Sequence, residues 1–187
     1  LADLVDKLNA TTAPGTFAYI DADAGTGQTN ALGTDAIKVG LIYQPAKVQP
    51  IGTTAALNTT AFVNGGDGAA RNRASLAQAF REAATGGEVI INVNHLKSKG
   101  SACDVPDAGD GQGNCNDVRT EAVSQLTSWL ATDPTGIGDP DVLLLGDYNS
   151  YAMEDPIMAL QGAGYVHLIK TRLGPAACGT WAGATTG

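Results

Sequence analysis

The most informative segment of this sequence is Leu143-Leu144-Leu145-Gly146-Asp147-Tyr148-Asn149-Ser150. Its aliphatic start predicts a short buried strand of the kind found in α/β sheets. Because side chains alternate along a strand, Asp147 and Asn149 are expected on one face where the strand ends. A carboxylate can bind a hard cation or orient water, and an amide can donate to a phosphate oxygen, so the pair suits phosphoryl chemistry. The alternative, that both residues simply form a turn, stays open.

A second predicted strand, residues 88–95, ends in the same polar manner. It reads Glu-Val-Ile-Ile-Asn-Val-Asn-His and continues into Leu-Lys-Ser-Lys at residues 96–99. His95 is a candidate general acid or phosphate ligand, and Lys97 and Lys99 bring positive charge into an acidic chain. A single histidine after a strand is more often an ordinary surface residue. Its pairing with the Asp147–Asn149 strand favours a shared site instead.

Further strand and helix patterns surround these two segments. Strands are predicted at 17–20, 36–43 and 76–81, and helices at 1–8, 118–130 and 156–162. Residues 51–72 are rich in Thr, Asn, Gly and Ala and predict a surface excursion, while residues 164–169 fit a strand or a helix cap. Alternating strands and helices indicate an α/β or α+β layer fold whose polar strand ends lie at one edge of a sheet.

Bulk composition limits the domain count and the partners. The 187 residues, 43% of them hydrophobic, suffice for one domain, and no apolar run approaches the roughly 20 residues of a membrane span. The net charge of −8 argues against a broad basic surface for nucleic acid. Divalent metal ions and a few local Lys and Arg side chains can still offset phosphate charge inside one cleft.

The cysteines point to the cellular compartment. Cys103 and Cys115 flank a Gly- and Asp-rich loop, and their spacing matches no zinc site. A disulfide would indicate an oxidising compartment, whereas two free thiols would not. Cys178 then has no partner within the chain.

Four segments occur together, in this order, in one known family: residues 40–48, 94–99, 119–126 and 144–150. They resemble the endonuclease/exonuclease/phosphatase superfamily, which includes DNase I. The sequence is most similar to bacterial extracellular nucleases of that superfamily, in which the histidine strand precedes a loop like residues 101–116. The resemblance covers about residues 1–169.

The resemblance implies a DNase I-like two-sheet sandwich with flanking helices. It also implies a divalent metal, Mg²⁺ or Mn²⁺ with Ca²⁺ left open, and in-line attack of water on a phosphodiester. His95 would contact the scissile phosphate or protonate the leaving group. Asp147 would orient or deprotonate the water and bind metal, and Asn149 would stabilise phosphate charge. The implied substrate-binding residues are Arg73, Asn94 and Lys97.

Departures from the family pattern are expected to leave the site incomplete. Gln44 stands where many relatives have Arg or Lys, and residues 1–6 contain no match to the metal-binding glutamate motif. Asp21 could supply a metal ligand, although Asp21-Ala22-Asp23 also fits a turn. Nothing after Ile169 matches the family's late Asp and final Asp-His pair, and residues 178–183 match no motif. Residues 1–187 are therefore predicted to be one partial domain, a fragment or a diverged form.

The expected function is that of a secreted bacterial hydrolase, extracellular, periplasmic or at the cell surface. It would be a monomeric, metal-dependent endonuclease whose favoured substrate is DNA, with RNA kept as an alternative. Three alternatives stay open: a phosphoesterase of the same fold acting on a lipid or small molecule, a Ca²⁺-binding structural or adhesion module, and an inactive scaffold. That residues 1–187 alone have no hydrolase activity also stays open.

Overall fold

The computed structural model describes residues 1–174. Cys178 and the segment 178–183 lie outside the described residues. The elements in chain order are α1 (Ala2–Thr11), β1 (Ala18–Tyr19), α2 (Ala22–Thr26), β2 (Ile42–Tyr43), β3 (Val48–Leu57), α3 (Thr60–Asn64), β4 (Ser75–Glu82), β5 (Glu88–His95), α4 (Asn116–Leu130), β6 (Val142–Asp147), α5 (Asp155–Gly162) and α6 (Leu168–Leu173).

A four-stranded mixed sheet forms the centre of the fold. Its strand order is β3-β4-β5-β6, with antiparallel pairing from β3 to β5 and parallel pairing between β5 and β6. The parallel pair needs a long crossover connection, which here contains α4. β1 and β2 form a separate antiparallel pair. The predicted α/β class with flanking helices is confirmed.

The core lies mainly between this sheet and α4. The predicted amphipathic stripe of α4 is confirmed, since its apolar side chains join the main buried cluster. That cluster comprises Leu57, Phe62, Leu96, Ala122, Val123, Leu126, Leu130 and Leu160. A smaller cluster on the opposite face of the sheet contains Ala22, Ala31, Val39 and Leu76. The larger cluster fixes α4 against the strands that end at the predicted site.

Two sequence predictions need correction. Residues 51–57 are not a surface excursion, because they continue β3 and pair with β4. Their low apolar content is explained by the position of β3 at the sheet edge, where Pro50 and a bulge are tolerated. The strand predicted at 36–43 is assigned only at Ile42–Tyr43. The Leu41 carbonyl still accepts from the Ile20 amide at 3.0 Å, and the side chains of Val39 and Leu41 pack against the central sheet.

Cys103 and Cys115 form the expected disulfide, with their Cα atoms 5.5 Å apart. The bridge closes the Gly- and Asp-rich loop at the start of α4, and closing a loop of this size stabilises a fold by about 3 kcal/mol. The loop is also attached at Val105, whose amide donates to the Asp67 carboxylate at 3.1 Å. The loop is held close to the end of β5, because Asn114 Nδ2 donates to the Lys99 carbonyl at 3.0 Å.

The helices of the described part of the chain are unsuited to crossing a bilayer. No helix within residues 1–174 has both the length and the apolar character that such a crossing requires.

Candidate active site

The C-terminal ends of β5 and β6 bring His95 and Asp147 together. These residues are direct partners in the parallel register, and neighbouring strands lie roughly 4.8 Å apart. Paired residues of parallel strands project their side chains from the same face of the sheet. The Leu96 amide then donates to the Asp147 carbonyl at 2.9 Å, which extends the ladder past His95. The adjacency of the two polar strand ends, predicted from the sequence, is thus present.

Asp147 and Asn149 form a tight polar turn. The amide of Asn149 donates to Asp147 Oδ1 at 2.8 Å, so the turn interpretation of these residues is also correct. Asp147 is solvent-exposed, and within residues 1–174 its Oδ2 atom has no hydrogen-bond partner. Asn149 has a positive φ of 49° and donates from Nδ2 to the Leu96 carbonyl at 2.9 Å. The turn therefore holds one carboxylate oxygen and leaves the other available.

Gly146 allows the two strands to approach closely just before Asp147. Its φ is 116°, and a Cβ atom at this position would lie 2.0 Å from the carbonyl oxygen of Asn94. Only glycine has both the conformational freedom and the absence of a side chain that this position needs. The position of the Asp147 carboxylate thus depends on this glycine.

A short segment carrying two arginines runs beside the end of β5. The Arg73 amide donates to the His95 carbonyl at 3.0 Å, and the Lys97 amide donates to Asn72 Oδ1 at 2.9 Å. These two bonds place Arg73 and Lys97 next to His95, while their contact with substrate stays a prediction. The Arg73 guanidinium forms an ion pair with Asp35 at 3.0 Å. A phosphate at Arg73 would compete with that carboxylate.

Lys97 is the least neutralised of these cations. Its ammonium group donates to Ser101 Oγ at 2.8 Å and to the Ser98 carbonyl at 3.0 Å, and it pairs with no carboxylate among the described residues. Burial lowers the pKa of Lys97, and the positive charges of Arg71, Arg119 and Arg73 lower it further. An anion beside Lys97 would relieve this repulsion.

Asn94 is set apart from the other predicted site residues. Its side chain is 1% exposed, and its Nδ2 donates to Asn92 Oδ1 at 2.6 Å and to the Tyr148 hydroxyl at 2.8 Å. Alternation along β5 directs it to the face opposite His95. Asn94 therefore links the ends of β5 and β6 on the sheet face opposite His95. Its contact with substrate stays a prediction.

Tyr148 makes the stability of the fold sensitive to alkaline pH. Burial raises the pKa of Tyr148 well above its ordinary value, although the hydrogen bond from Asn94 opposes this. The folded state therefore holds the phenolic proton more tightly than the unfolded chain, whose tyrosines titrate near pH 10. The resulting stability is fully present below about pH 10 and decreases as the pH rises further.

We expect Tyr148→Phe to flatten the decrease in unfolding free energy between about pH 9 and pH 11. Urea unfolding across this range would measure the slope for both proteins. Burial also raises the pKa of Tyr165, which should contribute part of the remaining slope, so Tyr165→Phe serves as a comparison. Identical slopes in the wild type and Tyr148→Phe would contradict the expectation.

The acidic residues define what the described chain offers a metal ion. Residues 1–174 contain no group of three or more His, Cys, Asp or Glu side chains placed to hold one. Asp21 caps α2 by accepting from the Ala24 amide at 3.1 Å, so its metal role stays a prediction. Asp147 offers a single exposed carboxylate, which is compatible with a hydrated Mg²⁺ that also binds substrate phosphate.

Arg119 and a lysine–glutamate pair were not identified as site residues from the sequence. Arg119 is fully buried on α4, although an arginine on an amphipathic helix ordinarily faces solvent. Lys99 pairs with Glu154 and lies 4.4 Å from the ring centre of Tyr151. The position of Arg119 inside the 119–126 motif was the only available signal. These contacts join the loops that follow β5 and β6.

A large groove lies beside β6, away from the candidate site residues His95 and Asp147. Its volume is about 1430 Å³, and its walls include Leu143, Leu145 and Gly146 from β6 together with Val166 and Ile169. It borders neither His95 nor Asp147. The chemistry of the strand ends therefore identifies the candidate site better than the size of this groove.

Sequence comparison gave no match to a family model and none to a curated protein. Solved structures do match. The human Nocturnin catalytic domain with bound sulfate has a TM-score of 0.54 and 15% identity, over 87% of this chain and 54% of that one. An endonuclease/exonuclease/phosphatase family protein of Bacteroides thetaiotaomicron has a TM-score of 0.56 and 14% identity, over 87% of this chain and 52% of that one.

A mannosyl-6-phosphatase from the same bacterium has a TM-score of 0.53 and 14% identity, over 87% of this chain and 53% of its own. The chain thus spans about half the length of the solved structures that it matches. At these identities the similarity establishes the fold.

Proposed function

Because this chain has the DNase I-like fold of the endonuclease/exonuclease/phosphatase superfamily, we propose that it provides catalytic residues for phosphodiester hydrolysis. The observation that carries the proposal is the register pairing of His95 with Asp147, with Asn149, Arg73 and Lys97 beside them. The proposed substrate is nucleic acid, DNA rather than RNA, cleaved internally. Polar residues at the end of one strand would be weak support for a catalytic site. Polar residues at the ends of two adjacent strands, β5 and β6, support it more strongly.

The proposed reaction is in-line attack by water on phosphorus. The new bond joins the water oxygen to phosphorus, and the bond to the leaving oxygen breaks. Asp147 Oδ2 accepts the proton of the attacking water, and the His95 imidazole donates a proton to the leaving oxygen. Asn149 Nδ2 uses one hydrogen for Leu96, which leaves the second to stabilise a phosphate oxygen.

The proposed cofactor is Mg²⁺ or Mn²⁺, with Ca²⁺ as the alternative. Asp147 would be its carboxylate ligand from this chain, and the ion would supply charge neutralisation at the phosphate. Removal of the metal with EDTA should therefore abolish activity.

The choice of substrate depends on local charge. The chain as a whole carries −8, which disfavours extended contacts with DNA. Around His95, however, Arg73 and Lys97 offer two cations, and only Arg73 is paired with a carboxylate. A phosphomonoester of a small molecule is the second candidate, because the acidic surface would tolerate it and one structural neighbour is a mannosyl-6-phosphatase.

We also propose that the protein is secreted or periplasmic and acts as a monomer. The Cys103–Cys115 disulfide supports an oxidising compartment, since such bonds are rare in the cytosol.

The test is nicking of supercoiled plasmid with Mg²⁺, Mn²⁺ or Ca²⁺ or with EDTA, beside hydrolysis of mannose 6-phosphate. It should be run on this chain and on any longer natural form of the protein. We expect metal-dependent nicking that falls by about 10²–10⁴-fold in His95→Ala. His167→Ala is the matched control, because within residues 1–174 the hydrogen bond that His167 makes is its cap of α6 through the Lys170 amide. Hydrolysis of the monoester without nicking would favour the second candidate, and hydrolysis of neither would contradict the proposal.

A further inference from the structure

The guanidinium group of Arg119 lies where three loops meet. Its side chain is 0% exposed and is among the largest fully buried ones in the described chain. Nη1 donates to the carbonyls of Asn114 at 2.7 Å and Lys97 at 3.2 Å. Nη2 donates to the Gln112 carbonyl at 3.4 Å, and Nε donates to Ser150 Oγ at 3.2 Å. One side chain thus binds three separate segments.

Two of these segments carry the candidate site. Lys97 lies just past His95 at the end of β5, and Ser150 directly follows Asn149 beyond β6. The third segment is the disulfide loop, whose carbonyls at Gln112 and Asn114 are held close by the Cys103–Cys115 bridge. Because α4 is packed into the core, Arg119 connects both strand ends to a rigid support.

The partners of Arg119 are unusual for a buried cation. Among the ion pairs of residues 1–174 none involves Arg119, so neutral carbonyl and hydroxyl oxygens solvate its charge. Burial lowers the pKa of Arg119, against the opposing effect of the Glu154 carboxylate. Burying a charge is costly, and an apolar side chain can often fill such a space at least as favourably. What the guanidinium adds is a fixed fork of five donors.

We propose that Arg119 is a positioning residue that sets the end of β5 against the Asp147–Asn149 turn. It does not touch the substrate, and its effect on catalysis rests on the proposed function. Within the described residues, two other side-chain bonds join that turn to the β5 end: Asn149 Nδ2 donates to the Leu96 carbonyl, and Asn94 Nδ2 donates to the Tyr148 hydroxyl. Without the fork, only these two bonds and the β5–β6 ladder would hold two strand ends whose side chains must act on one phosphate.

The decisive variant is Arg119→Lys, which keeps the charge and replaces the fork by a point ammonium. We expect kcat to fall on the order of 100-fold while KM changes by less than about threefold, because misplacing catalytic groups by an ångström has that effect. Leu126→Ala is the matched control, since Leu126 is equally buried on the same helix and has an apolar side chain that cannot form hydrogen bonds to the site loops. It should lower Tm and leave kcat of the folded protein unchanged.

Amide hydrogen exchange tests the positioning role without any activity. Arg119→Lys should accelerate exchange both at residues 97–99 and at residues 148–151, whereas Leu126→Ala should affect neither loop selectively. Ser150→Ala removes the Nε acceptor together with the bond from the Ser150 hydroxyl to the Tyr148 carbonyl, so exchange at residues 97–99 is its informative readout. It should give a smaller acceleration there than Arg119→Lys, and it serves if Arg119→Lys does not fold.

Selective exchange in both loops supports the proposal even if no phosphoester is hydrolysed, an outcome that would contradict only the proposed function. Unchanged exchange in folded Arg119→Lys would overturn the proposal whatever the enzyme does. So would a kcat loss in Leu126→Ala as large as that in Arg119→Lys.

Discussion

Asp147→Asn should reduce phosphodiester hydrolysis by about 10²–10⁴-fold with little loss of stability. Asparagine is nearly isosteric with aspartate, and its Oδ1 can still accept the Asn149 amide that Asp147 Oδ1 accepts now. The change removes the negative charge and the proton acceptor at the exposed second oxygen. The variant thus separates the chemistry of the carboxylate from its place in the turn.

The measurement is kcat/KM for plasmid nicking at saturating metal, together with Tm. Asp141→Asn is the control, because Asp141 is exposed next to the opposite end of β6 and should be replaceable without effect. If Asp147→Asn retained more than a tenth of the wild-type rate, Asp147 would not be the proton acceptor. A fall in Tm of many degrees would show instead that the carboxylate stabilises the turn.

Gly146→Ala should destabilise the protein by about 3 kcal/mol, the upper end of the range for overpacking. The new Cβ would meet the backbone of Asn94, with the carbonyl oxygen 2.0 Å and the amide nitrogen 2.8 Å away. Neither atom can move without breaking the β5–β6 ladder. We therefore also expect activity to fall, since Asp147 is carried by the displaced strand.

Urea unfolding of Gly146→Ala and Gly136→Ala separates steric overlap from backbone strain. Gly136 has a φ of 70°, but a methyl group added there would have no neighbouring atom within 4 Å, so alanine bears only the conformational cost. That cost is about 1 kcal/mol. Equal unfolding free energies for the two variants would show that the close approach of β6 to β5 is not what requires glycine.

The parts of the fold that the sequence predicts correctly are those with one dominant signal. β5 and β6 are apolar runs with polar ends, and α4 has a clear apolar stripe. β3 was missed because an edge strand exposes many of its positions and so can be rich in Thr and Ala. Parallel strands end at a common edge, which is why the proximity of His95 and Asp147 followed from their separate patterns.

The remainder of the site depends on long-range contacts that no local pattern encodes. The pairing of Arg73 with Asp35 joins two loops, and the burial of Arg119 depends on carbonyls from three segments. The same residue types on a surface would look identical in sequence. Three-dimensional packing alone distinguishes a solvated arginine from one enclosed by backbone oxygens.

The two edges of the central sheet should differ in how readily they pair with another molecule of the protein. The β3 edge contains Pro50 and a bulge between Ile51 and Ala55, both of which hinder pairing with another molecule. The β6 edge has neither within the described residues, and Leu145 within β6 is 41% exposed. Self-association of the purified chain should therefore begin at β6, increase with concentration and storage time, and be suppressed by a lysine in place of Leu145.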